Sequence, residues 1–120
     1  MRSVRGIRGA ITVSENSKEA ITEASTLLLR EMIDKNDLNL DDICSIFFSL
    51  TQDLNQDFPA SSARKIGLTD TPLLCMTEIL VPGSLEKCLR ILIHVNTDKT
   101  QKTMKHFYLG AAQKLRPDLG

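Results

Sequence analysis

The pattern of apolar and polar positions in the first third of the chain predicts a strand followed by a helix. Residues 4–13 are rich in β-forming residues and contain two glycines, which predicts a strand that backbone or a ligand approaches closely. Four apolar residues then recur at helical spacing in a run without Gly or Pro, namely Ile21, Ala24, Leu28 and Met32. Asn16, with Glu19 three residues later, predicts a capping box, and we expect the helix to end near residues 34–37.

Three further apolar segments predict strands. They cover Ile43–Leu50, Leu73–Val81 and Cys88–Val95, each bounded by polar, Pro or Gly residues. Between the first two, the polar Thr51–Asp57 predicts a loop, and Pro59 is suited to the first turn of a short helix.

The last part of the chain has a helical spacing of apolar residues over Thr103–Leu115, which predicts a helix or 3₁₀-like run. Pro117 prevents its continuation, so the closing residues 116–120 are expected to lie over the surface. No repeat, linker or low-complexity segment is present. The prediction is therefore one α+β domain over residues 1–120, with a mixed β-sheet and flanking helices.

Composition narrows the class of protein. Lys plus Arg and Asp plus Glu both total 15, which gives zero formal net charge and does not favour nucleic acid as a partner. Cys44, Cys75 and Cys88 are an odd number in apolar segments, which favours reduced thiols and a cytoplasmic location. The first residues lack the apolar core of a signal peptide, and no segment approaches the ~18 apolar residues of a membrane span.

Charged residues inside the predicted strands are the main chemical anomaly. Arg90 lies within Cys88–Ile93, which reads as a buried strand, and its guanidinium stays charged at any working pH. Arg8 and Glu78 repeat the anomaly in two other strands. Because burying an unpaired ion costs roughly several kcal/mol, an anion of the protein or of a ligand is expected to meet Arg90.

A set of residues carries a surplus of positive charge, consisting of Arg8, Arg64, Arg90, Glu78 and Tyr108. A small dianion would balance it, since guanidinium groups hold carboxylates in a planar two-point contact while Glu78 accepts from a hydroxyl. The alternative is that Arg90 and Glu78 form a purely structural ion pair.

Cys75 and Glu78 lie on one predicted strand. Strand alternation places them on opposite faces, so a shared pocket requires a bend or bulge near Met76.

The chain contains no GxGxxG, P-loop, serine-hydrolase or metal-ligand motif. A cofactor-free and metal-free activity is therefore the expectation.

Several segments together form a recognisable pattern: Arg5-Gly6-Ile7-Arg8-Gly9-Ala10, Thr51-x-Asp53-Leu54, Phe58-Pro59-Ala60 with Arg64, Cys75-Met76-x-Glu78, Cys88-x-Arg90, His106-x-Tyr108 and Leu115-Arg116-Pro117-Asp118-Leu119. In their shared order and spacing they resemble the small trimeric chorismate mutases of the Bacillus type. The resemblance spans nearly the whole chain. It implies a homotrimer with a pseudo-α/β-barrel core and active sites at the subunit interfaces.

The implied activity is the rearrangement of chorismate to prephenate without a cofactor, a covalent enzyme intermediate or proton transfer. Position by position, the resemblance implies that Arg90 donates to the ether oxygen and a carboxylate. Arg8 would hold the side-chain carboxylate with help from Tyr108. Glu78 would accept from the ring hydroxyl, with Cys75 near the same end.

The resemblance also implies that further residues line the substrate pocket. Phe58 and Arg64 match positions that reach the site from the neighbouring subunit, and Leu115 matches a lining position. Three residues depart from the family pattern: Leu74 stands where threonine is frequent, near the hydroxyl end, Ser61 where lysine is frequent, and Ser62 where alanine is usual. The departures at Leu74 and Ser61 bear on substrate affinity more than on the type of reaction.

Two alternative functions remain open at this point. One is an imine or enamine deaminase of a trimeric family with a similar general architecture, whose characteristic motifs are absent here. The other is a non-catalytic module that binds a dicarboxylate through the same arginines. Assays of chorismate loss, imine hydrolysis and binding without turnover separate the three functions.

Overall fold

A computed structural model gives the structure of the protein, and residues 2–115 are described. Within that range we number strands and α-helices in chain order. The strands are β1 (Ser3–Thr12), β2 (Ile43–Leu50), β3 (Leu73–Thr77), β4 (Cys88–Thr97) and β5 (Phe107–Leu109). The helices are α1 (Lys18–Lys35) and α2 (Ala60–Lys65), and 3₁₀ turns cover Leu40–Asp42, Gln101–Thr103 and Gly110–Leu115. The segment Arg116–Leu119, which is part of the family resemblance, lies outside the described residues.

The strands form one mixed sheet in the order β3-β2-β4-β1-β5. The central β4 is antiparallel to both β1 and β2, while β5 runs parallel to β1 and β3 runs parallel to β2. Helices α1 and α2 contribute to the same apolar cluster, so both pack on one face of the sheet. The predicted α+β class with a mixed sheet and flanking helices is confirmed.

The main core lies between α1 and the sheet. The helix buries one stripe, consisting of Ile21, Ala24, Ser25, Leu28, Leu29, Met32 and Ile33. These side chains meet alternate residues of the strands, such as Phe48 of β2 and Ile93 of β4, both 0% exposed. Full burial of each such side chain contributes about 1.5–3 kcal/mol, which makes this contact the main source of stability.

The start of α1 differs from the predicted capping box. Ser17 is the N-cap, and its hydroxyl accepts from the backbone N–H of Ala20 at 3.1 Å. The side chain of Asn16 instead exchanges two hydrogen bonds with Asn55, in the loop after β2. The prediction for Asn16 is wrong because its partner lies far away in the sequence.

The strand β3 is shorter than predicted, and the expected bulge near Met76 is not found. The pairing of β3 with β2 is regular and ends where β2 ends, although the N–H of Glu78 still bonds to the last residue of β2 at 2.9 Å. Residues 79–81 then leave the sheet with exposures of 84%, 69% and 55%. The register shift lies instead between Ile43 and Ser45 of β2, opposite β4.

The helical run predicted over Thr103–Leu115 is also wrong in its middle part. A strand, β5, separates two 3₁₀ turns there and pairs in parallel with residues 9–11 of β1. This pairing joins segments almost a whole chain apart, so local spacing of apolar residues does not reveal it. His106, expected on a short helix, lies just before β5.

The sheet face away from the helices is called the open face. Its residues follow from strand alternation and register, and they are Arg8, Ala10, Thr12, Ser45, Phe47, Ser49, Leu74, Met76, Cys88, Arg90, Leu92, His94 and Tyr108. At one end, the 3₁₀ turn Gly110–Leu115 covers this face and forms a second apolar cluster with Ala10, Cys88 and Tyr108. The remainder is left uncovered by the described segments of a single chain.

The helices in residues 2–115 are too short or too polar to cross a membrane.

Candidate active site

Arg90 lies at the centre of the open face. In the strand register it is paired with Ser49 of β2 on one side and Ala10 of β1 on the other, and Ala10 is paired in turn with Tyr108. Side chains in one cross-strand row point to the same face. The sheet therefore presents the guanidinium and the phenol toward the same side.

An ion pair orients the Arg90 side chain. Its Nε lies 2.9 Å from Glu78 Oε1, and the same carboxylate oxygen accepts a short hydrogen bond from the hydroxyl of Ser49. The Arg90 and Glu78 side chains are 46% and 22% exposed, so the expected burial of the Arg90 charge does not occur in one chain. Since the contact engages one edge of a guanidinium with five N–H donors, the group can still donate to a ligand.

Arg8 supplies a second cation on this face. It is paired with Leu92 and is therefore diagonal to Arg90, roughly 7–8 Å away, which is within reach of two long side chains. The Arg8 backbone N–H donates to Nδ1 of His106 at 2.9 Å, which ties β1 to the segment before β5. The exposed Arg8 guanidinium has no ion pair or hydrogen bond to another residue in the 2–115 range.

Tyr108 and Cys88 form the apolar floor beside Arg90. Tyr108 is 7% exposed and Cys88 is 1% exposed, and both pack in the small cluster on the open face. Burial raises the pKa of the Cys88 thiol, and attraction to the Arg90 guanidinium offsets only part of that effect. The thiol is therefore neutral at physiological pH, which excludes a role as an ionised nucleophile.

Two cavities border Arg90. One, of about 460 Å³, is also lined by Arg8 and Tyr108. The other, of about 910 Å³, is also lined by Glu78 and Leu115. The structure thus places four predicted residues around the Arg90 guanidinium, with Arg8 and Tyr108 at the first cavity and Glu78 and Leu115 at the second.

Four predicted substrate-binding residues are placed elsewhere. Leu74 is on the open face near its β3 edge and is 52% exposed. Cys75 is on the opposite face, where it packs against the main core and lines a cavity of about 680 Å³ together with Phe58. Arg64 is an exposed residue on α2. Neither Phe58 nor Arg64 lines the two cavities that border Arg90.

Sequence reasoning missed two residues that position the site. Ser49 bonds the Glu78 carboxylate, and His106 accepts from the Arg8 backbone. Strand alternation places Ser49 on the Arg90 face, but only the register shows that the two residues are neighbours. His106 is part of a segment that carries the family resemblance, but its contact with β1 was not predicted because the two segments are far apart in the chain.

The part of the chain that the structure describes contains no group of three or more His, Cys, Asp or Glu residues arranged to hold a metal ion.

Known proteins resemble this chain over nearly its full length. The family model described as chorismate mutase type I matches residues 4–119. The chain belongs to the chorismate mutase type I family. It is 46% identical to the chorismate mutase AroH of Thermus thermophilus, over 97% of this chain and 96% of that protein. It is 39% identical to the chorismate mutase AroH of Bacillus subtilis, over 97% of this chain and 92% of that protein.

A solved structure shows the same fold. The chorismate mutase from Clostridium thermocellum superposes with a TM-score of 0.89 at 54% sequence identity, covering 91% of this chain and 97% of that chain. The resemblance to the family and the predicted α+β fold of the single chain are thereby confirmed. Because the chain belongs to this family, the alternative assignment to an imine or enamine deaminase family is dropped.

Proposed function

We propose that this protein catalyses the rearrangement of chorismate to prephenate without a cofactor. The observation that supports this most directly is Arg90, a guanidinium held by Glu78 at the centre of the open face. Cavities on either side of it are lined by Arg8, Tyr108 and Leu115. Chorismate has two carboxylates, an ether oxygen and a ring hydroxyl, which match two cations, a phenol and a carboxylate.

Arg90 is assigned the main catalytic role. As the ether C–O bond stretches, negative charge builds on the oxygen, and a guanidinium N–H at that position stabilises the transition state more than the ground state. The Glu78 contact through Nε fixes the plane of the group before the substrate arrives. Little reorganisation is then needed at the moment of reaction.

The other open-face residues are assigned to binding. Arg8 is free to hold a substrate carboxylate, because its guanidinium is not engaged by the described residues. Tyr108 lines the same cavity and supplies a hydroxyl donor. Glu78 can accept from the ring hydroxyl while keeping its ion pair, since a carboxylate has about four lone-pair sites. Holding the substrate in its compact conformer lowers the entropic part of the barrier.

Leu115, Leu74 and Cys75 are assigned to the walls of the substrate pocket. Leu115 lines the cavity on the Glu78 side of Arg90. Leu74 and Cys75 lie on the edge strand β3, where a neighbouring chain can approach them. For Cys75 this contribution comes from the edge of the strand, because the side chain packs toward the core.

We further propose that the protein is a homotrimer with shared active sites. The open face carries partly exposed apolar side chains, among them Leu74 and Met76 at 52% and 46%, and a second chain would cover them. Phe58 and Arg64 line neither cavity that borders Arg90 in one chain, so we assign them to the site of a neighbouring chain. The active species should sediment at about 40 kDa, three chains of 13.4 kDa.

Complementation between two impaired variants tests the shared site. Arg64→Ala and Arg90→Ala should each lose most activity, whereas trimers assembled from a 1:1 mixture should regain it at about a quarter of their sites. That fraction arises because an intact site needs Arg90 from one chain and Arg64 from the next. Native mass spectrometry confirms mixing. Mixed trimers without regained activity, or an active monomer, would contradict the shared site.

The activity itself is tested with the purified chain. We expect loss of chorismate ultraviolet absorbance and formation of prephenate without added cofactor, and Arg90→Ala serves as the control for uncatalysed reaction. Saturable binding of chorismate without turnover would instead support the dicarboxylate-binding module.

A cytoplasmic location is also proposed. Cys44, Cys75 and Cys88 are all free thiols, as is usual in a reducing compartment.

A further inference from the structure

The backbone just before Arg90 is held in an unusual conformation. Lys87, immediately before β4, has φ 47, in the left-handed region that residues other than Gly rarely adopt. Such a conformation is strained and persists only where the surroundings enforce it. Arg90 follows three residues later on the central strand β4. The conformation of Lys87 therefore fixes the position at which β4 begins and the direction in which it runs.

Two side chains directly after β2 enforce the conformation. The carboxylate of Asp53 accepts the Lys87 N–H with both oxygens, at 3.2 and 3.0 Å. Thr51 donates its hydroxyl to Asp53 at 2.5 Å and accepts the Cys88 N–H at 3.0 Å. The carbonyls are held as well, since Lys87 O accepts from Val13 N–H at 2.7 Å and Cys88 O accepts from Thr51 N–H at 3.0 Å.

The same short stretch of chain positions the partner of Arg90. The backbone carbonyl of Leu50 accepts a hydrogen bond from the Glu78 N–H at 2.9 Å, and the Ser49 hydroxyl donates a hydrogen bond to the Glu78 carboxylate. Residues 49–53 thus hold both members of the ion pair, the carboxylate directly and the guanidinium through the start of β4.

We propose that Asp53 is a positioning residue for the reaction, an inference that rests on the proposed function. By binding the Lys87 N–H, Asp53 keeps that residue in the left-handed region and thereby places the Arg90 guanidinium against Glu78 and the substrate ether oxygen. Asp53 acts through the backbone of β4 and makes no contact with substrate. Its carboxylate is exposed, so it supplies little burial energy of its own.

The first test is steady-state kinetics of Asp53→Ala in the full chain. We expect kcat to fall about tenfold or more, because small displacements of a catalytic donor are costly, while KM changes less than about threefold. Thermal melts must show the variant folded at the assay temperature. Asp70→Ala, which removes an exposed carboxylate from the loop before β3, is the matched control and should leave kcat within about twofold.

A double-mutant cycle with Lys87→Gly separates positioning from other roles. Glycine adopts positive φ without the Cβ penalty, so the turn then depends much less on the carboxylate. In the Lys87→Gly background, Asp53→Ala should lower kcat by less than about threefold. Equal losses of kcat in both backgrounds, an unchanged kcat in Asp53→Ala, or a rise confined to KM would each overturn the proposal.

Hydrogen exchange of the Arg90 Nε–H, followed by NMR, gives a readout that does not require chorismate. Asp53→Ala should accelerate this exchange about tenfold, because the ion pair with Glu78 loosens, and Asp70→Ala should not. If the wild-type chain leaves chorismate untouched while the exchange responds as expected, the proposed function fails and the positioning of Arg90 stands. If chorismate is converted and the exchange does not respond, the positioning role of Asp53 is wrong.

Discussion

Arg90→Lys is expected to lower kcat about a hundredfold, equivalent to ~3 kcal/mol of transition-state stabilisation, while the fold stays intact. A lysine keeps the positive charge but lacks the planar fork, so it cannot contact Glu78 through one nitrogen and present others to the ether oxygen. The Arg90 side chain is 46% exposed, so its replacement leaves no cavity in the core. Steady-state kinetics of chorismate loss, with circular dichroism to verify folding, measures the effect.

Arg30→Lys is a matched control, because Arg30 is an exposed arginine on α1, far from the open face. Its kcat should stay within about twofold of the wild type. The assignment of Arg90 would be refuted by a well-folded Arg90→Ala variant with near-normal activity. A purely structural ion pair would show a different result, in which the melting temperature falls while the kcat of the folded protein is unchanged.

Leu28→Ala is expected to lower the free energy of unfolding by about 3 kcal/mol, within the usual range of 2–5 kcal/mol for such a truncation in a core. Leu28 is 0% exposed and lies where α1 packs on β1, close to Gly9. Domains of this kind are stable by only about 5–15 kcal/mol, so the loss is a large part of the total. Urea denaturation at fixed protein concentration measures it, since assembly affects apparent stability.

Leu27→Ala provides the comparison on the adjacent residue of the same type. Leu27 is 50% exposed on the outer side of α1, so its truncation should cost less than about 1 kcal/mol. Similar losses for the two variants would show that the helix does not bury the predicted stripe against the sheet.

Much of the fold was predictable because it depends on local patterns. Ile21, Ala24, Leu28 and Met32 were placed on one helical face by their spacing, and all four are buried. The bounds predicted for β2 are those observed, since its run of apolar residues is flanked by polar ones. In such segments the spacing of the apolar residues directly predicts which side chains are buried.

Elements that depend on distant partners were not predictable in the same way. The strand β5 forms because its backbone pairs with residues 9–11, and the spacing in residues 103–115 suggested a helix instead. The N-cap is Ser17 because the Asn16 side chain is engaged by Asn55.

The candidate site shows the same division. A guanidinium on a strand, with Glu78 as its possible anion, was evident from residue types, and the two side chains do form an ion pair. The expected bulge near Met76 was wrong, since Glu78 reaches Arg90 after β3 has ended and Cys75 stays on the core side. The roles of Asp53 and Ser49 depend on contacts that no spacing rule contains.

By itself, the sequence determined the α+β class, the main helix and its buried stripe, the charged strand positions, and through its motifs the family. The tertiary structure alone decided the strand order, the face on which each charged side chain lies, and the contacts that hold Arg90. The physical reason is that periodicity and charge belong to single segments, whereas strand register and side-chain pairing arise only when segments far apart in the chain share one sheet.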